Sequence, residues 1–171
     1  STRLDAVTAR RPGGAIALLG DPGVGKSRLL EEFRFVVQLA DLAFATGGAQ
    51  DGGAPYGPFV QALRGLLPAL RAHAPALLAA NGGVLVKLLP ELGVAPLPEL
   101  DPPSKEKMRL QATIADVLTG LAAAQPTIIV LEDWHWADAL SIELLAAVLR
   151  NAADAPLLVV IDLSDAEPDA A

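Results

Sequence analysis

Ala15-Ile16-Ala17-Leu18-Leu19, running straight into Gly20-Asp21-Pro22-Gly23-Val24-Gly25-Lys26-Ser27, is the stretch that decides the fold. Five apolar residues bounded by Gly14 and Gly20 have the continuous pattern of a short strand buried in a parallel sheet. The next eight fit G-x-x-x-x-G-K-[ST] at every fixed position. The glycines let the main chain turn sharply with its N–H groups inward, and these donors, with the amino end of a following helix, make a nest for a β-phosphate. Lys26 supplies a flexible cation for the β- and γ-phosphates, and the Ser27 hydroxyl suits Mg²⁺. Leu29, Leu30, Phe33, Val36, Val37 and Ala40 then recur at helical spacing. Arg28, Glu31, Glu32 and Arg34 fall mainly on the other side. An amphipathic helix packed on the sheet is predicted. The candidate nucleotide-contacting residues are Gly20, Asp21, Pro22, Gly23, Val24, Gly25, Lys26, Ser27 and Arg28.

A phosphate loop needs acidic help to hold a metal and activate water. Residues 127–131 are the most β-like run in the chain, and they end in Glu132-Asp133. One carboxylate would hold Mg²⁺ through its water shell and the other would orient or deprotonate the attacking water. The residues themselves leave open which does which. The catalytic candidates are therefore Lys26, Glu132 and Asp133, and the metal candidates Ser27, Glu132 and Asp133. Trp134-His135-Trp136-Ala137-Asp138 follows at once and holds both tryptophans of the chain. Packing suits Trp134, and a helix cap suits Asp138. His135 and Asp138 leave the same strand end and are alternatively candidates for sensing a γ-phosphate. His73 is expected to be a surface or packing residue.

Working outward, residues 2–9 suggest a short helix, 42–46 a second strand and 47–58 a loop. A helix over 58–67 is followed by short helices near 74–80 and 84–89, then by an irregular connection over 90–103. Ser104 is expected to cap a helix whose stripe is Leu110, Ile114, Val117, Leu118 and Leu121, ending before Pro126. Leu140, Leu144, Leu145, Val148 and Leu149 predict another helix, and 157–161 a last strand. The order β-α-β, helical insertion, β-α-β predicts an α/β fold. In full, the expectation is a P-loop NTPase: one three-layer α/β/α domain over 1–171, with a mainly parallel sheet and a helical insertion at about 55–124.

Composition narrows the function. Of 171 residues, 52% are apolar and 19% charged, which excludes a disordered chain. Lys plus Arg is 13 against 20 acidic residues, a net charge of −7, which argues against a nucleic-acid surface in this segment. The absence of Cys excludes disulfides, thiol catalysis and Cys-ligated zinc, and fits a cytoplasmic setting. Mean hydropathy is +0.41, but no charge-free run is longer than that at 117–131, which contains Gly120 and Pro126 and is too short to span a bilayer. No membrane segment or signal peptide is expected.

Three stretches together carry a family resemblance: GDPGVGKSRLLEEF, APYGPFVQALR and PTIIVLEDWHWADALSIELLAAVLR. They resemble the STAND-type AAA-related ATPase modules of large bacterial helix-turn-helix regulators and of soluble-type adenylyl cyclases. The resemblance runs over about 4–158, and its HWAD and PYGPF segments are more specific than the phosphate loop. It implies ATP (or ADP) rather than GTP, with Mg²⁺. Gly25, Lys26 and Ser27 would be the Walker A core, Glu132 would take the Walker B metal position and Asp133 the catalytic-acid position. It also implies effector or output domains as partners, so the chain is expected to be the nucleotide-binding core of a larger protein. The resemblance leaves the oligomeric state open. One departure stands out. Where the family runs into Gly-Thr-Tyr-Arg, this chain has Ile161-Asp162-Leu163-Ser164, with Ser for Arg and an added acid. Two functions are expected on this basis. One is a slow ATPase acting as the nucleotide switch of a signalling or transcription-regulating protein. The other is a regulatory nucleotide-binding module without turnover, acting through protein–protein interaction.

Overall fold

The computed structural model describes residues 13–20 and 25–164. The expected helix over 2–9 and the loop residues Asp21, Pro22, Gly23 and Val24 lie outside the described residues. The elements are β1 (Gly14–Gly20), α1 (Lys26–Leu39), β2 (Ala43–Gly48), α2 (Gly57–His73), α3 (Pro75–Leu85), α4 (Pro103–Ala124), β3 (Thr127–Glu132), α5 (Ala139–Asn151) and β4 (Leu157–Ser164). The strands form one sheet in the order β1-β4-β3-β2, and every pairing is parallel. Because β4 lies between β1 and β3, the strand feeding the glycine-rich loop and the strand ending in acids are two places apart.

Strand alternation sorts the core into two layers. Ile128 and Val130 of β3, with Leu158 and Val160 of β4, meet Val37, Leu30 and Phe33 of α1. Ile129, Leu131, Leu157 and Val159 face the opposite way into the larger core of α2, α4 and α5, where Phe59, Leu63, Leu66, Ile114, Leu118 and Leu144 are almost completely buried. This is an α/β/α sandwich. Residues 57–124 build much of its thicker layer. No helix among the described residues is long and apolar enough to cross a membrane.

Several boundaries differ from the sequence expectation. The helix expected to stop at 67 continues to His73, because exposed Pro68 lies on its outer side while Leu63, Leu66, Leu67 and Leu70 keep one buried stripe across it. The two short helices near 74–80 and 84–89 are instead one, Pro75–Leu85, running through Gly82 and Gly83. Ser104 does not cap α4: the cap residue is Pro102, and no side chain bonds the first turn. The strands β2 and β4 run further than expected, to Gly48 and Ser164. On α1 the apolar stripe is narrower than the spacing suggests, since Val36 and Ala40 are exposed.

Candidate functional site

The carboxyl ends of parallel strands are where open α/β sheets bind ligands, and here they gather the singled-out residues. β1 ends at Gly20, which pairs with Ser164 of β4, and α1 begins at Lys26. Between them Gly25 has φ +98°, a conformation that an L side chain rarely adopts, so this motif position requires glycine. Arg28 is exposed on the first turn of α1 and pairs with Glu32 at 3.3 Å.

Two strand spacings, about 10 Å, separate β1 from β3. The ladder pairs Leu131 with Ile161 and Leu18 with Asp162, so Glu132 stands one rung beyond Leu131, level with Asp162. By alternation with Ile128 and Val130, Glu132 lies on the α1 face of the sheet; Asp162, alternating with Leu158 and Val160, lies on the same face. Burial raises the pKa of Glu132, and the negative charges of Asp133 and Asp162 raise it further. Asp133 behaves differently. It is exposed, has φ 52°, and ends the strand by turning the chain into the Trp134–Trp136 turn. The two consecutive acids are thus in different environments, one half-buried on the face of the phosphate-loop helix, the other on the exposed turn.

The rest of the turn faces the opposite layer. Trp134 packs edge-on against Phe59, with centroids 6.2 Å apart. His135 is exposed and lies against Trp136. Asp138 caps α5, accepting from the Ser141 N–H at 3.0 Å and the Ser141 hydroxyl at 2.6 Å. Burial works against its ionised form, but these hydrogen bonds outweigh it and its pKa is lowered. A carboxylate so occupied has a structural use, as the cap reading expected. Asp138 and Trp136 border a cavity of about 170 Å³ at the end of β2, beside Gly48 and Gln50.

Two features escaped the sequence reading. The pairing of Asp162 with Glu132 needs the strand register, although alternation from Leu158 signals its face. Gln61 is the other: its side-chain amide accepts from Gly48 N at 3.0 Å and donates to Gly48 O at 3.2 Å, capping the end of β2. Nothing local distinguishes that glutamine from a surface residue.

The donor set suits Mg²⁺ delivered with a nucleotide. Among the described residues no group of three or more His, Cys, Asp or Glu is placed to hold a metal alone. Mg²⁺ commonly takes one or two carboxylates and completes its shell with phosphates and water. A half-buried Glu132 beside two further acids fits that role, because a dication relieves the repulsion that raises its pKa.

Comparison with known proteins gives one match: the family model described as AAA ATPase domain covers residues 1–160. No curated protein matches the chain, and neither does any solved structure. With its glycine-rich loop motif, parallel sheet and acidic strand end, the chain belongs to the AAA ATPase domain family, and is an ATP-binding P-loop domain.

Proposed function

We propose that this domain binds Mg²⁺-ATP across the Gly20–Ser27 loop and hydrolyses it slowly, as the nucleotide switch of a larger cytoplasmic signalling or transcription-regulating protein. The observation that carries the reading is the half-buried Glu132 on the α1 face of the sheet, two strands from Gly20. In this reading the loop amides and Lys26 hold the β- and γ-phosphates, and Ser27 and Glu132 hold the metal. Mg²⁺, when bound, neutralises charge on the phosphates. Asp133, on the exposed turn, orients the attacking water and takes its proton. Catalysis is then positioning and charge stabilisation rather than covalent chemistry.

A second reading, binding without turnover, is favoured by one feature: Asp162 beside Glu132, with Ser164 where the resembled family has Arg. An added acid raises the cost of the charge that develops at the γ-phosphate. A switch needs only that the nucleotide favour one of two states.

Nucleotide calorimetry and phosphate release on wild type, Lys26→Ala and Asp133→Asn decide between them. Lys26→Ala is expected to weaken Mg²⁺-ATP binding about tenfold to a hundredfold, the loss of a charge-assisted phosphate contact. Asp133→Asn should keep affinity and lose turnover. Unchanged affinity in Lys26→Ala overturns the phosphate-cradle assignment. Tight binding with no wild-type turnover selects the second reading.

A further inference from the structure

The segment between β2 and α2 folds over the cavity of about 170 Å³, which the nucleotide reading does not use. Two successive turns make this segment, closed by Gly53 N to Gln50 O and by Gly57 N to Ala54 O, both at 2.9 Å. The cavity walls include Gly48, Gln50, Gly57, Gln61, Trp136 and Asp138. Gln61 fixes one wall by bonding Gly48 at both its N–H and its carbonyl. Two of the glycines are not explained by the backbone. Gly48 and Gly57 do not have positive φ. A Cβ on Gly57 would meet nothing within 4 Å, and one on Gly48 only the Gln61 side-chain oxygen at 4.0 Å. Neighbouring Gly47 is different: its Cβ would lie 1.8 Å from the Pro58 carbonyl oxygen, so close packing requires glycine there. At Gly48 and Gly57 neither turn geometry nor packing does, and what glycine leaves is room. The room lies beyond the carboxyl end of β2, on the edge of a parallel sheet where ligands are commonly taken.

Among the described residues the walls carry a carboxylate, an indole and two side-chain amides, and no Lys, Arg or His. Asp138 accepts one bond from Ser141 on each oxygen, at 3.0 Å and 2.6 Å, and a carboxylate has about four acceptor sites, so capacity remains. Trp136 lines the cavity and is 48% exposed. A carboxylate with no cation beside it disfavours phosphate and other anions. An indole and a carboxylate together favour a cation, one through the ring quadrupole and the other through a charge-assisted hydrogen bond. The net charge of −7 favours the approach of a ligand of that sign. We infer that this cavity is a second ligand site, which takes a small organic cation of the alkylammonium or guanidinium class. Two of its walls lead to the acids. Ala49, in the same lining, donates its N–H to the Glu132 carbonyl, and Trp136 donates its N–H to the Asp133 carbonyl, both at 2.9 Å. A cation resting on Trp136 steadies the turn that carries Asp133, and so raises turnover without touching the phosphates. That consequence rests on the function proposed above; the binding itself does not.

The probes are n-butylammonium and n-butylguanidinium, with n-butanol and n-butylurea as neutral counterparts, titrated by calorimetry into nucleotide-free protein at about 150 mM salt. The cations should bind with a dissociation constant of about 1 mM, and the neutral counterparts at least about tenfold more weakly. Asp138→Asn keeps a cap for α5 and should weaken the cations about tenfold. Trp136→Ala should weaken them about fivefold. Cations that bind no better than their neutral counterparts overturn the site. So do cations that bind both variants as well as wild type, which is general attraction to an acidic surface. Acetyl-Gly-Arg-Gly-amide carries the same guanidinium on a chain: tighter binding than n-butylguanidinium assigns the site to an Arg side chain of a partner, and equal or weaker binding to a free molecule. In a turnover-competent wild type, n-butylguanidinium at saturation should raise phosphate release at least about threefold, and the same concentration should not do so in Trp136→Ala. Unchanged release in wild type overturns the coupling to the acidic turn. If the wild type binds no nucleotide, the function proposed above fails, and calorimetry with the cations decides the site alone.

Discussion

Among the described residues, the two faces of the sheet are packed differently. Beneath α2, α4 and α5 the core is continuous: Phe59, Leu63, Leu66, Leu70, Ile114, Leu118, Leu121 and Leu144 are essentially without solvent contact. Beneath α1 the described core is Val37 with four strand residues. An open pocket of about 130 Å³ lies among Ile16, Leu18, Leu30, Phe33 and Val160. Phe35 and Val36 of α1 are exposed. The phosphate-loop motif hangs on the lightly packed side, and the acidic tip is braced from the heavily packed one. Local stability follows buried apolar contact, so the α1 side is the part of the described fold that a bound ligand can most change.

Truncation on each side gives the largest expected contrast. Phe59→Ala should cost about 3–5 kcal/mol, the usual range for a buried aromatic in a closed core. Phe33→Ala, half-buried beside an open pocket, should cost only about 1–2 kcal/mol. Urea denaturation measures both. Equal losses would show that the two layers are equally well packed.

Glu132 sharpens the comparison from the site side. Its pKa in the fold lies above the ordinary carboxylate value through burial and two acidic neighbours. A raised acid contributes its stability in full below the ordinary value, and loses it as pH rises through the raised one. At neutral pH the ionised side chain is therefore held against the fold. Glu132→Gln should raise the thermal midpoint at pH 7, a gain that closes as the pH falls below the ordinary carboxylate range, while turnover is lost. A lower midpoint at pH 7 would mean that Glu132 is stabilised by a cationic partner.

Legibility in the sequence followed the range of the interactions. The strand β1, the helix α1 and the acidic end of β3 were legible because each is a contiguous pattern with its context beside it. The parallel topology followed from alternating strands and helices. What failed was long-range. Pro68 reads as a helix end, yet the buried stripe from Leu63 to Leu70 carries α2 through it; tertiary burial outweighs the one backbone bond a proline forgoes. Ser104 is a good cap residue in the wrong place, one residue inside a helix that Pro103 starts. The tie from Gln61 to Gly48 joins different elements, and a single sequence carries no signal for such a pair. Glu132 and Asp133, adjacent in the chain, part because one continues the strand pattern and the other takes a left-handed conformation.

The smallest expected effect lies far from the tip, in the charge cluster that closes the helical layer. Glu106 accepts from Lys87 at 2.8 Å and from the Leu100 N–H at 3.1 Å, and pairs with Arg109 at 2.6 Å; Arg109 in turn donates to the Pro98 carbonyl at 2.8 Å. These bonds pin the irregular 93–102 connection between α3 and α4. Lys87 first, and then Arg109, hold the Glu106 pKa at about 2, below the ordinary 4.5. A lowered acid contributes its stability above the ordinary value and loses it as pH falls through the lowered one. Glu106→Gln should therefore lower the thermal midpoint at pH 7 by a small amount, because the cluster is partly solvated. The deficit should shrink between pH 4.5 and about 2, as the wild-type carboxylate is protonated. Turnover should not change, since the cluster does not touch the acidic turn. A turnover loss in Glu106→Gln would mean that the helical layer is mechanically joined to the acidic turn through α4.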